Sequence, residues 1–271
     1  MQPQGKVAVV TGGASGIGAA LCRALAERGA AVVVVADRDG AGAERVAADI
    51  SAGGVTVEAA ALDVSVASEV QSLVADVERQ HGRIDLFCAN AGIMVAGGVE
   101  TPDADWNRIW AVNVMSHVYA ARYALPGMVA RGEGYLVHTA SAAGLLTQLG
   151  AAPYSVTKHA AVALAEWLRV TYAHTGVKVS CLCPQAVRTN LVPGLSDRPV
   201  APAEPGGASQ AARDGILEPE VVADAVLAAI AEERFLILPH PEVATYEQRR
   251  AADRDRWLAG MARLVPPPPA T

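Results

Sequence analysis

Apolar residues fall along this chain in two alternating rhythms. Short apolar runs at 6–11, 31–36, 55–62, 84–89, 135–139, 177–183 and 235–238 predict seven strands. Val32 to Val35 is an unbroken run, which suits a strand covered on both faces of a parallel sheet. Between the runs, apolar positions recur every three or four residues. That spacing predicts helices over 16–28, 41–51, 66–80, 102–131 (one long helix or two in series), 153–173 and 218–232. Gly29 closes the first helix, Gly53-Gly54 stops the second, and Pro219 sits in the first turn of the last. Strand, helix, strand, repeated, implies right-handed crossovers and one doubly wound parallel α/β sheet with helices on both faces.

Two stretches break the rhythm. The segment 190–215 is rich in proline and glycine with little periodicity, and a loop of that length inside a compact domain is expected to be a lid, here 190–217. The stretch 242–264 is charged and helical in spacing, with Trp257, Met261 and Leu264 on one face to cover a neighbouring subunit or their own pocket. Four prolines at 266–269 then end any helix and predict a frayed tail. The expected organisation is a catalytic domain over 1–240 and a C-terminal helical extension with a proline-rich tail over 241–271.

Composition narrows the classes. With 271 residues, 52% hydrophobic and 18% charged, the chain can bury a large core, which excludes a disordered protein. A net charge of −6 without a Lys/Arg run argues against nucleic acid as a partner. Cys22, Cys88, Cys181 and Cys183 match neither a disulfide framework nor a metal pattern and read as reduced packing residues. No leader and no 18-residue apolar run is visible, so a soluble, cytoplasmic protein without membrane contact is expected.

The candidate chemistry begins at Thr11-Gly12-Gly13-Ala14-Ser15-Gly16-Ile17-Gly18, between the first strand and the first helix. Glycines at 12, 16 and 18 permit a tight turn that lets a diphosphate approach backbone N–H groups, with the helix N-terminus supplying partial positive charge. A glycine-rich turn alone is a weak signal; its place in the first βαβ unit gives it weight. Asp37 ends the second strand, where a carboxylate accepts from ribose hydroxyls and repels a 2′-phosphate, favouring NAD over NADP. Arg38 next to it is a cation that could accommodate that phosphate. Tyr154 and Lys158 stand one helical turn apart and share a face. A Tyr with pKa near 10 needs help to act as a base at neutral pH, and an adjacent ammonium supplies it.

Taken in order, these motifs resemble the short-chain dehydrogenase/reductase family, over about residues 6–238. The resemblance rests on T-G-G-A-S-G-I-G at 11–18, Asp63-Val64 after the third strand, Asn90-Ala91-Gly92 after the fourth, and Asn113 in the long helix. It continues with Ser141, then Tyr154 and Lys158 as Y-x-x-x-K, and 184–189 after the sixth strand. It implies a Rossmann-type sheet of order 3-2-1-4-5-6-7 and hydride transfer between NAD(H) and an alcohol or ketone. By resemblance, Asn113, Ser141, Tyr154 and Lys158 are catalytic. Gly12, Ser15, Gly16, Ile17, Gly18, Asp37, Arg38, Asp63, Val64, Asn90, Ala91, Gly92, Tyr154, Lys158, Pro184, Val187 and Thr189 hold the cofactor. It also implies that the long helices pair copies into a homodimer or homotetramer. Trp106 and Trp110 on the first of them read as core or interface.

Where the family has Pro-Gly, this chain has Pro184-Gln185, so the 185 side chain either contacts substrate or turns away to bond backbone. Met94, Ser141, Leu145, Gln148, Tyr154, Gln185 and Leu191 are the expected substrate contacts, with no metal. The wall residues are mostly apolar, without a basic cluster to clamp an anion, which points to a neutral, hydrophobic secondary alcohol or ketone. Arg188, Arg198 and Arg213, in or beside the lid, keep a carboxylate or acyl-carrier substrate open. Two other readings compete: a 3-oxoacyl-carrier-protein reductase using NADPH, which Asp37 disfavours, and a non-catalytic NAD-binding sensor, which has no need of Ser141, Tyr154 and Lys158 together.

Overall fold

The computed structural model describes residues 1–51, 55–191 and 214–265. Its strands are β1 (Val7–Thr11), β2 (Val32–Asp37), β3 (Thr56–Ala61), β4 (Leu86–Ala89), β5 (Gly134–Thr139), β6 (Val177–Leu182) and β7 (Leu236–Ile237). All pair in parallel in one seven-stranded sheet of order β3-β2-β1-β4-β5-β6-β7, as expected. The helices are α1 (Gly16–Glu27), α2 (Gly40–Ser51), α3 (Ala67–His81), α4 (Asp103–Trp110), α5 (Ser116–Arg131), α6 (Ala152–Thr171), α7 (Pro219–Glu232), α8 (Glu242–Ala252) and α9 (Arg254–Ala262).

Side-chain alternation along the strands divides the core into two layers. Val7 and Val9 of β1 join the layer built with α3, α5 and α6, whereas Ala8 and Val10 join the layer under α1, α2 and α7. Every residue of β1 is buried, and at about 2 kcal/mol per fully buried valine the sheet centre is a firm platform. At the outer edge, β3 is exposed or half-buried along its length. The chain leaves β1 toward β2 on one side and returns as β4 on the other. This switch point opens a crevice at the carboxyl ends of the strands, where ligands bind in such sheets.

Of the two forms expected for 102–131 the second is found, and the expectation for the C-terminal stretch changes. The 102–131 stretch is α4 and α5 in series, joined by a π-helical turn, Ala111–Met115, that carries buried Asn113. Widened turns of this kind occur mostly at functional sites, and nothing in the apolar spacing announces one. Trp110 is 42% exposed, so it is not a core residue. The C-terminal stretch is two helices, not one. Asp253 breaks it with extended backbone (φ −151°, ψ 93°), and its carboxylate accepts from Arg256 N at 2.9 Å, the capping chemistry aspartate favours. All four cysteines are free and buried, as expected. Among the described residues no helix is long and apolar enough to cross a membrane. Gly53-Gly54, the body of the expected lid with Arg198 and Arg213, and the four tail prolines lie outside the described residues.

Candidate active site

The crevice is a single cleft of about 1360 Å3, larger than the ~300–1000 Å3 of a pocket for one small ligand. Its first half is built from backbone. Gly12 turns with φ +67°, and a Cβ there would sit 2.9 Å from Ala91 Cα. A Cβ on Gly18 would overlap the Gly12 carbonyl oxygen. The turn therefore lies flat on Asn90-Ala91 only because both positions are glycine. Ser15 precedes α1 in extended backbone without a side-chain cap bond, and the first turn of α1 carries no acidic residue. The positive end of that helix is thus left uncompensated, with Ser15, Gly16 and Ile17 on the cleft wall. Gly18 does not reach the wall; its part is to admit the Gly12 carbonyl.

Carboxylates and hydroxyls pin this half together. Asp37 accepts from Ala14 N (3.0 Å) and Asp39 N (2.9 Å), so the same group that faces the cleft also clasps the glycine turn. Arg38 lies beside it on the wall. Asp63 accepts from the Ser65 hydroxyl (2.7 Å) and N–H (2.9 Å), and these bonds hold its carboxyl below the usual range. Thr11, which heads the glycine motif without a role read for it there, accepts from Asn90 N and Ala91 N at 3.0 and 3.2 Å. Thr139 Oγ1 donates to Asn90 Oδ1 at 3.2 Å. The ends of β1, β4 and β5 are thereby tied behind Asn90-Ala91-Gly92. Val64, Pro184, Val187 and Thr189 complete the wall, and a Cβ on Gly16 would meet the Thr189 methyl at 2.9 Å.

At the centre stand Ser141, Tyr154 and Lys158, all buried and all on the cleft. Ser141 Oγ is fixed from two sides: it accepts from Ala143 N (3.1 Å) and donates to Pro184 O (3.4 Å). Burial pushes the Tyr154 phenol up to about 12, with a hydrogen bond to Ser141 pulling the other way. Burial likewise brings the Lys158 ammonium down to about 8. Lys158 Nζ donates to Thr139 O at 2.9 Å and lies 5.6 Å from the Tyr154 ring centroid. Asn113 is not on the cleft. Its Oδ1 accepts from Ile93 N (2.8 Å) and its Nδ2 donates to Ile93 O (2.9 Å). A Cβ on Gly92 would come within 3.4 Å of Asn113 Oδ1 and 3.3 Å of Lys158 Nζ. Asn113 therefore shapes the loop over Lys158 from behind. A neutral phenol, a serine hydroxyl and an ammonium converging on one wall can hold an oxygen and pass a proton to or from it.

The second half is assembled from side chains distant in sequence. Met94, Gln148, Gln185 and Leu191 line it. Leu145 does not: after the tight turn Ala142–Gly144 its side chain joins the buried core layer, and Leu146 lines the cleft instead. Gln185 takes neither course foreseen for it alone. It remains on the wall, but its Nε2 donates to a carboxylate, Asp214 Oδ2, at 3.0 Å. Tyr246 of α8 donates to the other oxygen, Asp214 Oδ1, at 2.9 Å. Gln185 N–H donates to Nδ1 of buried His240 (3.2 Å), whose pKa burial holds down. Through these bonds α8 is fastened across the cleft, and Trp257, Met261 and Leu264 cover the chain's own pocket. Arg108, Arg249 and Arg256 also line it. The sequence reading missed this basic group because its members lie on three separate helices.

Comparison with known proteins identifies the family and the fold. The short chain dehydrogenase family profile matches residues 6–199. A 1-deoxy-11-beta-hydroxypentalenate dehydrogenase of Streptomyces exfoliatus is 36% identical over 274 residues, covering 100% of this chain and 94% of the relative. A meso-2,3-butanediol dehydrogenase of Serratia marcescens is 36% identical over 195 residues, 72% of this chain and 76% of the relative. A solved short chain dehydrogenase/reductase from Burkholderia phymatum, in complex with NAD, superposes with a TM-score of 0.83 at 32% identity, covering 100% of this chain and 99% of the other.

Proposed function

The chain belongs to the short-chain dehydrogenase/reductase family, an oxidoreductase class acting on hydroxyl groups, and from that premise we propose that it moves a hydride between NAD(H) and a hydrophobic secondary alcohol or its ketone. The observation that carries the reading is the convergence of Ser141, Tyr154 and Lys158 on a cleft whose other half is an uncompensated helix N-terminus with Asp37 at its edge. The residues fit a dinucleotide. The glycine turn has no Cβ where a diphosphate would approach, and the Asp37 carboxylate stands where a ribose diol would be recognised. The nicotinamide, when bound, supplies the hydride acceptor or donor.

The protein does the rest. Ser141 holds the substrate oxygen by hydrogen bond. Tyr154 Oη takes the hydroxyl proton during oxidation and returns it during reduction. Lys158 holds the nicotinamide ribose, and its charge favours the phenolate. In the protein as described the phenol is a proton donor at neutral pH, so oxidation is favoured as pH rises and reduction is not. Asp37 supports NAD over NADP, and the NAD complex of a similar solved enzyme supports the same choice.

The test is Tyr154→Phe. Turnover is expected to fall by about 10²–10⁴, while NADH affinity, read by fluorescence titration beside NADPH, stays as in the wild type. Undiminished turnover would sink the mechanism. Tighter binding of NADPH than NADH would move biosynthetic ketone reduction to the front, and binding without turnover on any alcohol would favour the sensor.

A further inference from the structure

The wall of the cleft combines an apolar lining with two arginines that have no partner among the described residues. Arg249 and Arg256 both face the cleft, and among the described residues neither guanidinium makes a hydrogen bond or an ion pair. Asp214 is held by Gln185 and Tyr246, and Asp253 accepts from the Arg256 backbone as the cap of α9. Arg108, the third cation of the wall, is paired with Asp105 at 2.9 Å. Arg249 lies three residues beyond Tyr246, hence on the same face of α8, one turn farther from the bond that fastens the helix at Gln185. Arg256 is next to Trp257, whose ring lies 6.3 Å from that of Tyr246. Met94, Leu146, Leu149 and Met261 line the same cleft as these cations and Tyr154.

We propose that Arg249 and Arg256 form an acid-recognising end of the substrate site, so that the substrates are amphipathic hydroxy acids. The carbinol would reach Tyr154, an apolar body would fill the cleft, and a carboxylate at the far end would meet the two guanidiniums. Guanidinium is the group that pairs a carboxylate through two parallel hydrogen bonds, and it desolvates more readily than an ammonium. This inference rests on the oxidoreductase reading for the direction in which the substrate lies, but not for the binding of the acid itself. It replaces the neutral substrate expected from sequence, where no basic cluster was visible.

The test compares hydroxycyclohexanecarboxylate and a hydroxycholanate with their methyl esters, as ligands of the NADH complex and as substrates with NAD. Binding is read from tryptophan fluorescence, since Trp257 lines the cleft. At least one acid is expected to bind about tenfold more tightly than its ester, the scale of hydrogen bonds to a charged group. In Arg249→Gln/Arg256→Gln the ratio of acid to ester should fall toward one. Raising salt should erode the wild-type preference, because the arginines are exposed. Equal binding of acid and ester by the wild type, no binding of any acid, or a ratio unchanged in the double variant overturns the proposal. So does a loss of NADH affinity in that variant, which would place the arginines on the cofactor. Arg-dependent acid binding without any NAD reduction would leave this inference standing and remove the oxidoreductase reading.

Discussion

The two halves of the cleft are made in different ways. The half beneath Asp37 is made of backbone: a glycine turn, a helix N-terminus and three strand ends, all fixed by the sheet itself. The half around Gln185 and Tyr246 is made of side chains from helices and loops that meet only after the sheet is complete. The first depends on atoms that are absent, the Cβ atoms of Gly12 and Gly18. The second depends on atoms that are present and replaceable. A backbone site tolerates almost no change, while a side-chain site can exchange one substrate for another on the same frame.

The sharpest way to break this contrast is Gly18→Ala. The added methyl must displace the Gly12 carbonyl, and with it the turn that lies on Ala91. NADH affinity should fall by about 100-fold or more, since a displacement near 1 Å in a positioned site has effects of that order. Circular dichroism should show the fold retained, because the buried valines of β1 and β2 are untouched. NADH binding within a few-fold of wild type would show that the turn yields, and the contrast would fail.

Lys158→Met sharpens it at the centre, where function is set against stability. Turnover should be lost. Stability should rise, and the sign follows from the pKa. Folding lowers the Lys158 value from 10.5 to about 8, so the folded state disfavours the proton. The penalty is complete below pH 8, shrinks as pH rises from 8 to 10.5, and is absent above. At about 1.4 kcal/mol per pKa unit, removing the charge should stabilise the protein by about 3 kcal/mol at pH 7. Thermal melts at pH 7 and pH 10 check this. A gain that does not diminish toward pH 10 would mean that the buried ammonium is not its source.

The contrast also governs what was legible in the sequence. The strand order, the glycine turn, Asp37 and the Y-x-x-x-K pair could be read because each lies within one βαβ unit or one helical turn. Local spacing then fixes the geometry. The π turn around Asn113 escaped because it shifts the backbone hydrogen bonds by one residue and leaves the apolar rhythm intact. The burial of Leu145 escaped because two adjacent leucines after a tight turn give no sign of which enters the core. Arg108, Arg249 and Arg256 escaped for a third reason: convergence of α4, α8 and α9 is a property of packing, and no sequence interval encodes it. The break at Asp253 was available, since aspartate between two helical stretches is a capping signal.

The smallest expected effect probes how the side-chain half is fastened. Asp214 receives Tyr246 Oη on one oxygen and Gln185 Nε2 on the other, so one carboxylate joins α8 to the strand end beside Pro184. Tyr246→Phe removes one donor and keeps the ring. A net hydrogen bond is worth about 0.5–1.5 kcal/mol, so KM for the substrate should rise by about 2–10-fold. NADH affinity and kcat should hold, because the cofactor half does not depend on α8. Gln185→Gly restores the family's usual pair after β6 and removes the other donor. If the two bonds act through the shared carboxylate, the double variant should cost less than the sum of the singles, because either loss already frees the helix end. Additive effects on KM would mean that the two residues contact substrate separately. A drop in NADH affinity from Tyr246→Phe would show that α8 supports both halves, and the distinction between them would then be one of position alone.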